Sequence, residues 1–411
     1  MMILNDFRRS MPQTVAMSQS VQVAQTVSPR RGIFKRASTA VLTLAVLGTL
    51  GGCGLFGSKP AHEPTPLTEI KQALTVKQMW TASVGKAGAY SFAPVAVGNA
   101  VFAAGANGSI VRVDAETGAS TWSAKADTNI TAGPGSDGET TVVATHKGDV
   151  IAFDHDGKQS WKANAGSEVL TAPLVGRGLV VVRAINNRVT AFDSGTGSVR
   201  WSYSQPATSL TLRTGTGMAF VGDRSVITGF PGGKLVALDA NTGNPQWITP
   251  LSYPKGVTEV ERVNDVTGSP VVFGRQVCGA TFQGRVGCAD VQTGNGLWAR
   301  DFSSPNGVSQ DERVVAAVNT DGAVYAFNAA DGSTLWQNDK LKYRDLSAPL
   351  ALGRVVVVGD KQGYLHFLSR DNGELLARVK LSGAISAQPV IAGQTLVVQT
   401  RDGNIYGFRP E

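Results

Sequence analysis

The body of this chain alternates apolar and polar residues in short runs of period two, as in Ser109-Ile-Val-Arg-Val-Asp114, Lys234-Leu-Val-Ala-Leu-Asp239 and Ala323-Val-Tyr-Ala-Phe-Asn328. That period is the signature of half-buried β-strands. The runs follow dipeptides that favour a hairpin turn, such as Asn107-Gly108, Lys147-Gly148, Asp321-Gly322, Gln362-Gly363 and Asp402-Gly403. A second strand precedes the turn, as in Ala351-Leu-Gly-Arg-Val-Val-Val-Val358. After the run, the phrase Asp-x-x-Thr-Gly (114–118, 193–197, 239–243 and 290–294) makes another turn into a strand that carries a tryptophan. These pieces predict units of four antiparallel strands, the composition of a propeller blade.

The seven tryptophans, Trp80, Trp122, Trp161, Trp201, Trp247, Trp298 and Trp336, are spaced by 42, 39, 40, 46, 51 and 38 residues, so the units repeat. The turn-plus-strand phrase occurs eight times, at Gly108, Gly148, Asn187, Gly233, Gly284, Gly322, Gly363 and Gly403. The expected fold is therefore all-β, an eight-bladed β-propeller over residues 76–411. Residues 403–408 are followed by no tryptophan strand, and Trp80 precedes any complete unit. The N-terminal strand is expected to form the outer strand of the last blade and so close the ring. Because the tryptophans occupy equivalent places, they read as wedges between blades; a ligand-stacking platform, the alternative, calls for one special ring. In the seventh unit the tryptophan position is Ala377.

Where the period lapses, the sequence points to function. The gap from each tryptophan to the next blade's first proline is 14, 12, 12 and 13 residues for Trp80–Pro94, Trp122–Pro134, Trp161–Pro173 and Trp336–Pro349. For Trp247–Pro270 it is 23, and the equivalent gap from Trp201 to Ala219 is 18. Both insertions fall in the same kind of connector on consecutive blades, so they share one face of the disc and mark a candidate binding face. The first contains Ser209-Leu-Thr-Leu-Arg213. Either Leu210 and Leu212 fold back onto the disc, or they anchor a partner with Arg213 as the polar fixing contact. The second contains Glu259-Val-Glu-Arg-Val-Asn-Asp265, whose charge suits the rim of such a contact.

Net charge of +7 invites a polyanion-binding reading until its location is considered. Residues 1–52 hold six Lys/Arg and one acid, and the rest is left with 38 − 6 = 32 basic and 31 − 1 = 30 acidic residues, a net of +2. The excess belongs to a leader, and a nucleic-acid partner is not expected. Arg30-Arg31-Gly-Ile-Phe-Lys35-Arg36 precedes an apolar run from Ala37 to Leu50, the pattern of an export signal too short to span a membrane comfortably. It ends in Leu50-Gly51-Gly52-Cys53, which resembles a bacterial lipobox. In that reading Cys53 is the first mature residue and carries covalent lipid; in the alternative, the leader is an ordinary signal peptide and the cysteine incidental. Residues 53–75, with Pro60, Pro64 and Pro66, read as a flexible tether. Extended, residues 54–75 would reach about 70 Å.

Taken together, the lipobox Cys53, the Asp-x-x-Thr-Gly-Trp repeats of quinoprotein type, Leu210-Thr-Leu-Arg213, Thr258-Glu-Val-Glu-Arg262 and Gly363-Tyr-Leu-His366 resemble the BamB family, lipoproteins of the machinery that assembles β-barrel proteins in the bacterial outer membrane. The resemblance covers residues 50–411. It implies a non-enzymatic scaffold that is lipid-anchored to the outer membrane and faces the periplasm, with no cofactor beyond the lipid on Cys53. It also implies that the chain belongs to the BAM complex and binds the periplasmic POTRA domains of BamA. The family's contact residues map onto Leu210, Leu212, Arg213 and Asp265. A second family acid, two residues beyond that aspartate, is Thr267 in this chain. The second contact is then weaker here, or rebuilt from Glu259 or Glu261.

Two other classes stay open. The repeat resembles blades of quinone-dependent dehydrogenases, but no adjacent cysteine pair exists, and His62, His146, His155 and His366 have no metal-ligand or triad spacing. A direct receptor for unfolded outer-membrane proteins, offering blade edges for β-augmentation, is the other. Cys278 and Cys288 flank Thr281-Phe-Gln-Gly-Arg285 on the two arms of one hairpin; in an oxidising periplasm they predict a disulfide, with two buried thiols as the alternative.

Overall fold

A computed structural model describes residues 62–206, 208 and 210–410; the leader 1–52 and Cys53 lie outside that range. Eight sheets of four strands form the body. Seven blades are continuous in sequence, over residues 95–125, 132–164, 174–204, 218–250, 266–301, 308–338 and 350–380. Blade 8 combines three strands from residues 390–410 with the strand Val76–Ser83, which pairs antiparallel with Asn404–Pro410 on its outer side. The ring is thus closed by the N-terminal strand, as the sequence predicts.

One lock recurs at the blade junctions, and its parts are the residues of the repeat phrase. In blade 4, Asp239 Oδ1 accepts hydrogen bonds from Asn241 N, Thr242 N and Thr242 Oγ1 at 2.9–3.0 Å, which shapes the turn. Those bonds, the Thr242 N–H first, hold the Asp239 carboxyl below its usual range. The turn ends at Gly243, whose φ of +73° costs a residue without Cβ little. The Trp201 ring of blade 3 lies against this glycine: a Cβ there would stand 2.6 Å from Trp201 Cε3. Trp201 Nε1 donates to Ala240 O of the same turn at 2.7 Å. Trp80, Trp161, Trp247, Trp298 and Trp336 donate to the next blade in the same way, at 2.6–3.2 Å. Trp122 meets the turn Asp154–Gly157, one residue shorter, and its Nε1 has no partner.

Ala377 has a topological explanation. It faces blade 8, where the outer strand comes from the N-terminus, so no turn leads from Asn404–Pro410 into it and a tryptophan would have no turn to cap. Leu74 and Val76 pack there instead, in one cluster with Leu376 and Val379.

The flexible tether expected over 53–75 needs correction for residues 62–75, the part that is described. Leu67 and Ile70 pack against the buried cluster shared by blades 6 and 7. Thr65 N donates to Lys342 O at 3.0 Å and Ala73 N to Leu376 O at 2.8 Å. Arg344 Nη1 donates to Thr65 O at 3.0 Å and Arg378 Nη1 to Thr68 O at 3.1 Å. A few apolar side chains and two arginine donors are enough to make this stretch a strap on the propeller. Beneath it lies a buried polar network. Arg344 Nε and His366 Nε2 reach Asp360 Oδ2 at 2.7 and 3.0 Å, and Arg378 Nε donates to His366 Nδ1 at 3.3 Å. With Nδ1 accepting, His366 is neutral with its proton on Nε2. Burial, opposed by Asp360, accordingly pushes its pKa below the usual value.

Cys278 and Cys288 stand directly opposite each other in the register of blade 5, fully buried, and the structure joins them in a disulfide.

Candidate partner interface

Connectors that run from the outer strand of one blade to the inner strand of the next share a face of the disc with the turns between second and third strands. Both insertions lie on this face, at residues 205–217 and 251–265. They also touch. Gly217 N donates to Gly268 O at 3.0 Å, and Thr216 Oγ1 to Val266 O at 2.8 Å. Leu212 N donates to Asp265 Oδ2 at 2.6 Å.

The candidate residues take different places in this assembly. Leu210 is 44% exposed, whereas Leu212 is half-buried over a small cavity, so the two leucines divide between the two readings of the loop. Arg213 is exposed, and its Nη2 bonds both carboxylate oxygens of buried Glu168 at 2.6 and 2.7 Å. Glu168 belongs to the connector between blades 2 and 3, so the cation is positioned from that connector rather than left to wander. Asp265 is only 6% exposed. Desolvation raises its pKa, against the N–H groups of Leu212 and Gly232 and the charge of Arg183. Its observed contacts are therefore internal to the face: it fixes the first insertion onto the second.

Of the other acids of the second insertion, Glu259 and Glu261 are both exposed. Glu261 turns back to accept from Val257 N and Thr258 N at 2.9 and 3.0 Å, and these bonds, Thr258 first, keep its pKa low. Thr267 is fully buried and donates to Ser304 O at 2.9 Å, so its side chain is part of the blade core. The second insertion also offers apolar side chains outward, among the exposed Lys255, Glu259, Glu261 and Arg262: Tyr253 is 67%, Val257 96% and Val260 65% exposed. Ile185, in the neighbouring turn of blade 3, is also exposed. Sequence reasoning missed all four, although an isoleucine in the turn Ala184-Ile-Asn-Asn187 and two valines in a loop with no blade to fill were visible signals.

Among the described residues no group of three or more His, Cys, Asp or Glu side chains could hold a metal ion. His366 is fully buried and engaged with Asp360 and Arg378.

Comparison with known proteins places this geometry. The family model described as outer membrane protein assembly factor BamB matches residues 106–338 and 321–411. The outer membrane protein assembly factor BamB of Burkholderia pseudomallei is 52% identical over 380 residues, covering 92% of this chain and 99% of that protein. The protein of the same name from Bordetella pertussis is 42% identical, covering 91% and 97%. Among solved structures, BamB from Moraxella catarrhalis superposes with a TM-score of 0.75 at 26% identity, over 82% of this chain and all (100%) of that one. The quinohemoprotein alcohol dehydrogenase of Comamonas testosteroni matches with a TM-score of 0.62 at 14% identity, over 81% and 76%, a likeness of fold alone. With its eight blades, its closure and its sequence all agreeing, the chain belongs to the family of the outer membrane protein assembly factor BamB.

Proposed function

We propose that this chain is a lipid-anchored, non-enzymatic scaffold of the BAM complex, tethered to the outer membrane through Cys53 with its propeller in the periplasm. It binds the POTRA domains of BamA through the insertion face of blades 3–5. Leu210 is the exposed apolar anchor, Arg213 the oriented cation, and Leu212 and Asp265 hold the loop in its presenting form. The observation that carries this reading is the coupling of the two insertions: Leu212 N on Asp265, and Arg213 on Glu168, prepare a loop in advance of a partner. The names of the relatives support membership of an outer-membrane assembly machine.

Affinity purification from mild-detergent membranes tests it, comparing the wild type with Leu210→Ala/Arg213→Ala. Loss of BamA from the variant is expected; retention of the same partners sinks the interface. The non-enzymatic role predicts no dye reduction when the protein is titrated with pyrroloquinoline quinone and Ca²⁺. Lipidation predicts that Cys53→Ala releases the protein from membranes.

A further inference from the structure

Beside the presenting loop, the insertion face holds a cavity of about 210 Å³ lined by Arg183, Ile185, Asn187, Leu212, Arg213 and Asp265, among others. Liquid water occupies about 30 Å³ per molecule, so the space admits a side-chain head group. Arg183 dominates its chemistry. It is the last residue of the strand Leu179–Arg183, 8% exposed, with its guanidinium 5.2 Å from the centre of the Phe230 ring. Its Nε is buried without a hydrogen-bond partner. Burial lowers its pKa to about 10, so it stays charged at neutral pH. A buried guanidinium with an idle donor is costly and is rarely left so.

The neighbouring charges answer this need only in part. Asp265 attracts Arg183 through space, but its Oδ2 is taken by Leu212 N. Arg213, the second cation at the cavity, is already bonded to Glu168. Asn187, held at a φ of +62°, keeps the adjoining turn tight. The open valence is thus for an acceptor with two lone-pair-bearing oxygens that matches the planar fork of an arginine.

We infer that this cavity is a receptor for a carboxylate, and that the carboxylate is an Asp or Glu side chain of the partner docked on the insertion face. The partner's acid enters beside Leu212 and takes the idle donor of Arg183, while Leu210 and Ile185 cover apolar surface around it. A deep charge contact ringed by apolar cover sets register more sharply than rim charges do. The partner's identity rests on the reading that this face meets BamA; the carboxylate chemistry does not.

Two measurements on the full-length protein in mild detergent separate those claims. In the first, the thermal midpoint is followed in sodium acetate against sodium chloride at matched ionic strength. The wild type should gain stability in acetate, and Arg183→Met, which keeps the bulk, should not. In the second, affinity for BamA is measured for wild type, Arg183→Met and Arg183→Lys. Arg183→Met should weaken binding about thirtyfold or more, with Arg183→Lys in between, and one BamA acid changed to its amide should cost the wild type affinity but not Arg183→Met. An acetate effect dependent on Arg183 with unchanged BamA affinity means an adventitious anion only and overturns the docking claim. An acetate response no larger in wild type than in Arg183→Met overturns the carboxylate receptor itself. If wild type fails to bind BamA while the Arg183-dependent acetate effect persists, the receptor stands and the proposed partner falls.

Discussion

The blade junctions and the insertion face are made from the same strands by opposite means. At the junction of blades 3 and 4, Trp201, Ala240 and Gly243 form a lock that recurs around the ring, dry and blind to anything outside the molecule. A few residues away, the face of blades 3–5 has no internal repeat. Its contacts, Leu212 on Asp265 and Arg213 on Glu168, each occur once, and apolar side chains stand in solvent above them. Repetition solves a problem that every blade has, namely how to bury its neighbour. A partner poses a problem at one place only, so its solution has to break the period.

If that division is right, substitutions at the two places should move different observables. The largest effect belongs to the lock. Trp201→Ala should cost about 3–5 kcal/mol in urea unfolding. Gly243→Ala, which combines a positive φ with a clash against the ring, should cost about 2–4 kcal/mol. Neither residue reaches the insertion face, so BamA affinity of the folded fraction should stay within about twofold of wild type. A fall in affinity as large as that of the face variants would merge the two regions and break the comparison.

Next comes the converse experiment on the face. Leu210→Ala/Arg213→Ala should weaken BamA binding by about 2 kcal/mol or more; Leu210→Ala alone should change unfolding stability by no more than about 0.5 kcal/mol, while Arg213→Ala, which strands Glu168, should cost about 1–3 kcal/mol. Early unfolding of Leu210→Ala alone would show that this residue belongs to the scaffold.

Asp265 lies on the border and sharpens it. Asp265→Ala strands Leu212 N and should destabilise by about 1–3 kcal/mol. Asp265→Asn keeps an acceptor oxygen and loses the titration. Since burial raises the folded pKa of Asp265 above 3.8, its ionised form costs stability at pH above that raised value, and the cost disappears as pH falls below 3.8. The stability advantage of Asp265→Asn over wild type should therefore grow as pH rises through that interval. A constant difference in urea midpoint across the interval would remove desolvation as the cause.

The sequence made the first region legible almost in full and the second only in outline. Trp, Asp-x-x-Thr-Gly and the hairpin glycines each have one dominant physical reason, and their repetition lets the noise average out. Even closure by Val76–Ser83 could be read from what the last unit lacks. The face was legible as a place, because two intervals were too long, but not as a set of roles. Nothing local distinguishes an aspartate that accepts from a loop amide, as Asp265 does, from one that waits for a partner. Arg183 was invisible for the same reason: only the fold shows that its strand end is roofed by Leu212. The strap failed in the opposite direction. Prolines and polar residues over 62–75 read as a tether, since the arginines that hold it, Arg344 and Arg378, lie about three hundred residues away in sequence.

The smallest predicted effect concerns that strap and the buried network beneath it. His366 is neutral and fully buried, and its folded pKa lies below 6.5 because burial outweighs the pull of Asp360. The unfolded chain therefore takes up a proton near 6.5 that the folded chain refuses until lower pH. Stability from this site is complete above 6.5 and is lost as pH falls from there through the folded pKa. Burial would raise Asp360, but the bonds from His366, Tyr364 N and Arg344 outweigh it and keep its pKa below 3.8, so its contribution survives until more acid conditions. Two stages follow, the first owned by histidine. Urea midpoints between about pH 5 and 8 should fall with acid in wild type and flatten in His366→Gln, which can still donate to Asp360. Limited proteolysis within residues 62–75 should quicken over the same interval, while the disc stays resistant. An unchanged slope in His366→Gln would assign the titration elsewhere. Cleavage of strap and disc together would show that the propeller and strap open as one body.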